Sequence, residues 1–306
     1  MKKMLMLSVM LSSFAFASEV PKIYPSGKVG EAVKLGEELL NKTDTHSLTS
    51  QFVGNKLQCK SCHRAGADGK PGTADSIGTF VGISAKFPIY QARVKVIETL
   101  EDRISNCFIR SMNGSRPISE TEAPIAIATY ITWLSSGTPI NINAKTNGSS
   151  KAKELAKKFA KIQKKATHKN YLNGKKLFSK KCATCHGKNG EGVATFPPLW
   201  GQGKDGKWLS YNAGAGMSKL NKAAMWIQSN MPLGQGGTLS AQEAADIALF
   251  IDAQPRADFN LEKLIIEKKI KGYYNSKVFV EKDSVRDNFK ALGLDVDVIR
   301  GDKLMP

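Results

Sequence analysis

The 306-residue sequence is poor in the residues that build disulfide and metal frameworks, with five cysteines and four histidines. Four of the cysteines come in pairs separated by only two residues, a poor match to the disulfide scaffold that exported chains often use. After the first residues there is no apolar run that could cross a bilayer, which excludes stable membrane insertion. Acidic residues are also scarce: 27 stand against 45 basic ones, for a net charge of +18. An excess of that size favours anionic small molecules or an acidic protein partner through steering. It also fits a solvated basic surface that keeps the chain soluble, and by itself it marks no site.

The chain opens with "MKKMLMLSVMLSSFAFASEV", two lysines and a short apolar run ending in Ala15-Phe16-Ala17. This is the pattern of a secretory signal cut before Ser18, and it predicts export to a bacterial periplasm. Removing Lys2 and Lys3 with residues 1–17 takes two charges from +18 and leaves +16. Nucleic acid is not a partner expected in that compartment. A hydrophobic content of 41% supplies a buried core, and the length suggests about two domains.

Each cysteine pair is followed directly by histidine: Cys59, Cys62 and His63 in "CKSCH", and Cys182, Cys185 and His186 in "CATCH". Paired ligands of a zinc ribbon recur within about 15–20 residues, whereas 120 residues separate Cys62 from Cys182. Cys-x-x-Cys-His is the attachment signature of c-type haem, with two thioether bonds and the histidine as proximal iron ligand. The sequence therefore predicts two covalently bound haem c groups, attached at Cys59, Cys62, Cys182 and Cys185, with His63 and His186 on the irons.

The second half has the plan of a small class I cytochrome c. A helix runs into "CATCH", "FPPLWG" breaks the chain after it, "NMPLG" forms a loop at 230–234, and "LSAQEAADIALFIDAQ" closes as a helix. Ser240 and Glu243 form a capping box, and Ala244, Ile247, Ala248 and Ile251 form an apolar stripe at helical spacing. The first half repeats the plan: 53–69 reaches its haem motif, and Ser119 with Glu122 opens a helix that stops at Gly137. The expected fold is mainly α, two class I cytochrome c-like haem domains in tandem. Expected boundaries are a signal peptide at 1–17, a haem domain at 18–140, a linker at 141–170, a second haem domain at 171–255 and an extension at 256–306. Within the linker region a lysine-rich helix is expected over 151–165.

The sixth iron ligand decides what each haem does. Near the second haem stand Met217, Met225 and Met231, with His168 and nearby lysines more remote. Met231 sits in a loop beside Pro232 just before the closing helix, so it is the expected ligand, while Met225 reads as core. His186 and Met231 are 45 residues apart; His63 and Cys107 are 44 apart. Cys107 thus falls in the distal slot of the first domain, with Met112 and His46 as rivals and a buried inert thiol as the plain alternative. Arg103, Cys107 and Ser111 are spaced four apart and share one stripe if the stretch is helical. Arg93 and Arg103 read by themselves as surface charge.

"VGNKLQCKSCH", then "FPIYQARVKVIETLEDRISNCFIRSMNG", then a second haem domain with "NMPLG", resembles the dihaem thiosulfate dehydrogenase family. The resemblance spans roughly 25 to 255. It implies a His63/Cys107-ligated haem at the active site, Cys107 as catalytic residue, and Arg93, Arg103 and Ser111 around the substrate. It also implies a His186/Met231-ligated haem that passes electrons to a redox partner such as a small cytochrome c. The activity implied is the interconversion of thiosulfate and tetrathionate. In some members a lysine beside the distal methionine can replace it; here that neighbour is Asn230.

Three other functions compete. A non-enzymatic dihaem electron carrier predicts Met112 or His46 on the first iron. A dihaem cytochrome c peroxidase needs an extra histidine, and only His46 and His168 are spare. A carrier-linked thiosulfate transferase of the sulfur-oxidising system also uses a haem-ligating cysteine but usually needs a partner cytochrome.

Overall fold

The computed structural model describes residues 20–91, 96–119, 121–144, 150–260 and 282–302. The expected signal segment 1–17 and Arg93 lie outside these residues. The described chain is mainly helical, with α1 (Gly27–Asn41), α2 (Cys59–Cys62), α3 (Leu100–Arg110) and α4 (Glu122–Leu134) in the first half. A two-stranded antiparallel ribbon, β1 (Ile89–Gln91) with β2 (Val96–Glu98), precedes α3. The second half holds α5 (Ser150–Gln163), α6 (His168–Lys181), α7 (Ala183–His186), α8 (Leu220–Asn230) and α9 (Ala241–Asp252). A second ribbon, β3 (Phe259–Asn260) with β4 (Lys282–Asp283), leads to α10 (Val285–Lys290) and α11 (Val296–Arg300).

Both halves are organised around one helix crossing, α1 on α4 and α6 on α9. Each crossing is made at a glycine because the backbones approach too closely for a side chain. A Cβ at Gly36 would stand 2.2 Å from the Ala126 carbonyl oxygen, and one at Gly174 would stand 2.0 Å from that of Asp246. Around the first crossing Val33, Leu39, Leu40, Tyr130 and Leu134 are buried. Around the second, Phe178, Trp200 and Phe250 form an aromatic cluster with centroids 5.1–5.6 Å apart.

The capping box expected at Ser240 is present: Glu243 N–H donates to Ser240 Oγ (3.2 Å), and Ser240 N–H donates to Glu243 (2.9 Å). The corresponding expectation at Ser119 is corrected. α4 begins at Glu122 with Thr121 as N-cap, whose Oγ1 accepts from Ala123 N–H, and Pro124 lies in the first turn. α3 carries a box of its own, Thr99 with Asp102. The first domain's counterpart of α6 is α1, separated from the haem motif by the 17 residues 42–58.

The lysine-rich α5 forms as expected and packs on α8 and α9. The C-terminal segment closes the second half, with Phe289, Val296 and Ile299 buried against Leu220, Leu249 and Ala253. Arg300 donates to the Ala253 carbonyl, and His168 Nδ1 is 2.9 Å from the Ile299 carbonyl oxygen.

Candidate functional site: two cavities with a shared wall

The first cavity, about 440 Å³, is lined by Cys59, Cys62 and His63 from the first motif and by Arg103, Cys107, Ser111 and Met112 from α3 and its end. His63 is the C-cap of the short α2. Its Nδ1 donates to the Gly78 carbonyl (2.7 Å), and its ring stacks on Phe80 with centroids 4.1 Å apart. An Nδ1 committed to a carbonyl leaves Nε2 with its lone pair, the form that binds a metal. Burial pushes the His63 pKa down to about 4, keeping the ring neutral. It raises the Cys59 and Cys62 thiols to about 12.

α3 is a helix because Thr99 and Asp102 satisfy its first amides and Glu101 and Asp102 oppose its dipole. Leu100, Ile104 and Phe108, spaced by four, bury one face. The next stripe carries Arg103, Cys107 and Ser111, and all three line the cavity as the helical spacing predicts. The Cys107 carbonyl accepts from both Ser111 N–H (2.8 Å) and Met112 N–H (3.0 Å), which pins the end of the helix. Arg103 is exposed, yet its charge is felt at His63 and at the buried Glu98. Burial holds the Glu98 carboxyl above its usual range, and Asn106 donates to it from α3. Met112 is buried and belongs to the core as well as to the cavity.

The second cavity, about 370 Å³, is lined by Cys182, Cys185, His186, Met217 and Met231. His186 Nδ1 donates to the Pro197 carbonyl (2.8 Å), as His63 does to Gly78. Met231 follows the last residue of α8, whereas Met225 is buried within that helix and does not line the cavity. His46 and His168 line neither cavity.

The cavities adjoin, for Leu57, Gln58 and Cys62 line both. Each presents two thiols and a carbonyl-oriented imidazole in a largely apolar space, so the residues present fit a haem at each. Sequence reasoning missed several basic side chains here, Lys86 and Arg64 among them. Lys86 lines the first cavity, half-buried, with its pKa lowered by desolvation. Arg64, directly after His63, reaches the second cavity. The position of Arg64 beside the motif is a signal available in the sequence; Lys86 has none. Two helical domains, each with a Cys-x-x-Cys-His wall, define a c-type cytochrome with tandem haem domains.

Comparison with known proteins agrees and goes further. The family model described as cytochrome c matches residues 171–254, and that described as SoxA/TsdA, cytochrome c domain, matches 51–140. A thiosulfate dehydrogenase of Allochromatium vinosum is 36% identical over 243 residues, covering 78% of this chain and 83% of that protein. One of Thiomonas intermedia is 34% identical over 237 residues, covering 76% and 68%. The solved thiosulfate dehydrogenase (TsdBA) of Marichromatium purpuratum superposes with a TM-score of 0.63 at 28% identity. That match covers 83% of this chain, which spans about half (50%) of the length of the other. The chain belongs to the thiosulfate dehydrogenase family.

Proposed function

We propose that this chain is a periplasmic dihaem oxidoreductase that interconverts two thiosulfates and one tetrathionate, 2 S₂O₃²⁻ ⇌ S₄O₆²⁻ + 2 e⁻. The observation that carries the reading is the gathering of Cys107, Arg103 and Ser111 with His63 around one cavity. A haem at each cavity supplies a one-electron acceptor, so the pair matches a two-electron reaction. Cys59 and Cys62 would hold the first by thioethers, with His63 and Cys107 on its iron. Cys182 and Cys185 would hold the second, with His186 and Met231.

The chain's own groups bind and orient the substrate. Thiosulfate carries its oxygens at one end and a terminal sulfur at the other. A guanidinium fork suits the oxygens, so Arg103, with Arg93, takes that end and Ser111 Oγ donates a further hydrogen bond. The terminal sulfur is then turned towards Cys107 Sγ. In the oxidising direction one sulfur–sulfur bond forms between two thiosulfates, and the two electrons released leave the chain from the second cavity to a small electron-carrier protein. The basic surface suits both the dianion and an acidic carrier.

The test is to add thiosulfate to the oxidised holoprotein, follow haem reduction and assay tetrathionate. Reduction with tetrathionate formed, lost in Cys107→Gly while both haems stay attached, is the expected result. Near-normal turnover in that variant would leave Cys107 an inert thiol and Met112, which lines the same cavity, as ligand, whereas a parent that thiosulfate does not reduce would be a plain electron carrier.

A further inference from the structure

One short segment touches both haem sites. The Gly78 carbonyl accepts from His63 Nδ1. One residue earlier, Ile77 N–H donates to Ser229 Oγ (3.1 Å), and the Ile77 carbonyl accepts from Asn230 Nδ2 (3.1 Å). Ser76 Oγ donates to Asn230 Oδ1 (2.7 Å). Arg64, the residue after His63, donates from Nη1 to the Asn230 carbonyl (2.8 Å), which belongs to the peptide joining Asn230 to Met231. Trp226 Nε1 adds a bond to the Cys62 carbonyl (3.0 Å). Residues flanking the first imidazole therefore grip the residue that immediately precedes Met231.

Resting on the reading of Met231 as ligand, we propose that Arg64 and Ser76 are positioning residues for it. They fix the 230–231 peptide and so hold the Met231 thioether at the second iron from the first domain. The argument is one of anchorage. Asn230 ends α8, and beyond it the chain leaves the helix. Asn230 is buried, so its polar atoms need partners, and those partners come largely from the other half of the molecule. A guanidinium bond to a carbonyl in a partly desolvated place shifts an equilibrium by roughly tenfold, and a neutral hydroxyl bond by about threefold. The second site's ligation thus depends on the two halves being docked.

The experiment uses the holoprotein and three variants, Arg64→Gln, Arg64→Lys and Ser76→Ala. It reads cyanide binding to the second ferric haem, the weak red absorption band of a methionine-bound ferric haem, and the second haem's potential. Expected are a roughly tenfold gain in cyanide affinity in Arg64→Gln and about threefold in Ser76→Ala, as methionine competes less well. The red band should fade and the second potential should fall, Arg64→Lys should recover most of the loss, and the first haem's spectrum should stay as in the parent. A parent band that Met231→Gly abolishes, with cyanide affinity and potential unchanged in Arg64→Gln and Ser76→Ala, overturns this proposal alone. A parent without the band overturns the reading of Met231 and the proposal with it. Should Arg64→Gln fail to fold, Ser76→Ala, which removes one hydroxyl, decides the question.

Discussion

Cys107 reaches the first cavity from the last turn of α3, whereas Met231 reaches the second from a loop that starts where α8 ends. The two halves otherwise share a plan: a glycine-mediated helix crossing, a Cys-x-x-Cys-His wall and a histidine held by a carbonyl. The difference lies in what comes with the sulfur. A helical residue brings its neighbours four positions away to the same surface, so Cys107 arrives flanked by Arg103 and Ser111. Beyond the end of α8, Met231 shares its cavity with the apolar Ile227 four positions earlier, and the basic groups there, Lys60, Arg64 and Lys181, come from elsewhere in the chain. On the proposed reading, the helical sulfur serves both iron and substrate, while the sulfur beyond the helix end serves iron alone.

The sharpest way to break this comparison is at the helical sulfur. Cys107→Gly should lower thiosulfate oxidation and tetrathionate reduction by at least ~1,000-fold, the scale of losing a reacting group. Both haems should remain attached by mass, and only the first haem's spectrum should change. Next comes the neighbour the helix supplies. Arg103→Gln removes a charge-assisted fork and should cut kcat/KM by about 100-fold while the haem spectra stay nearly as they are. Steady-state kinetics with unchanged constants would return Arg103 to surface charge. At the loop, Met231→Gly should change the second haem's spectrum and lower its potential. It should slow electron delivery to an external acceptor by about tenfold, yet spare the first haem's reduction by thiosulfate. If that first reduction also failed, the two sites would not have separate duties.

The smallest effects test the shared plan. Gly36→Ala and Gly174→Ala each force a Cβ against a carbonyl oxygen and should destabilise the holoprotein by about 1–3 kcal/mol, read by thermal unfolding. Similar losses would support a common frame. Removing the cap that starts the helix of Cys107, by Thr99→Ala, should cost about 1 kcal/mol.

Much of this frame is legible in the sequence because it is local. The two motifs, the Ser240–Glu243 box with α9, and the lysine-rich α5 are each written within a few adjacent residues. The four-residue spacing of Arg103, Cys107 and Ser111 needed only a helix to become a stripe. α1 was not legible as the counterpart of α6, because a 17-residue stretch separates it from the motif it serves and only the packing at Gly36 reveals its role. The start of α4 shifted from Ser119 to Thr121, since either hydroxyl can cap and only geometry chooses. The grip of Arg64, Ser76 and Ile77 on Ser229 and Asn230 joins residues more than 150 positions apart, and no local pattern encodes it.

Leu57, Gln58 and Cys62 line both cavities, and this carries a consequence for how such a chain can change over generations. A substitution there is pleiotropic: a replacement that improves the fit at one site is tried at the same moment against the other. Two domains in one chain can otherwise vary independently, but these positions tie one to the other. Variation at 57 and 58 should therefore be accepted mainly in company with compensating changes on both sides. The most divergent parts of the two halves should be those farthest from this common boundary.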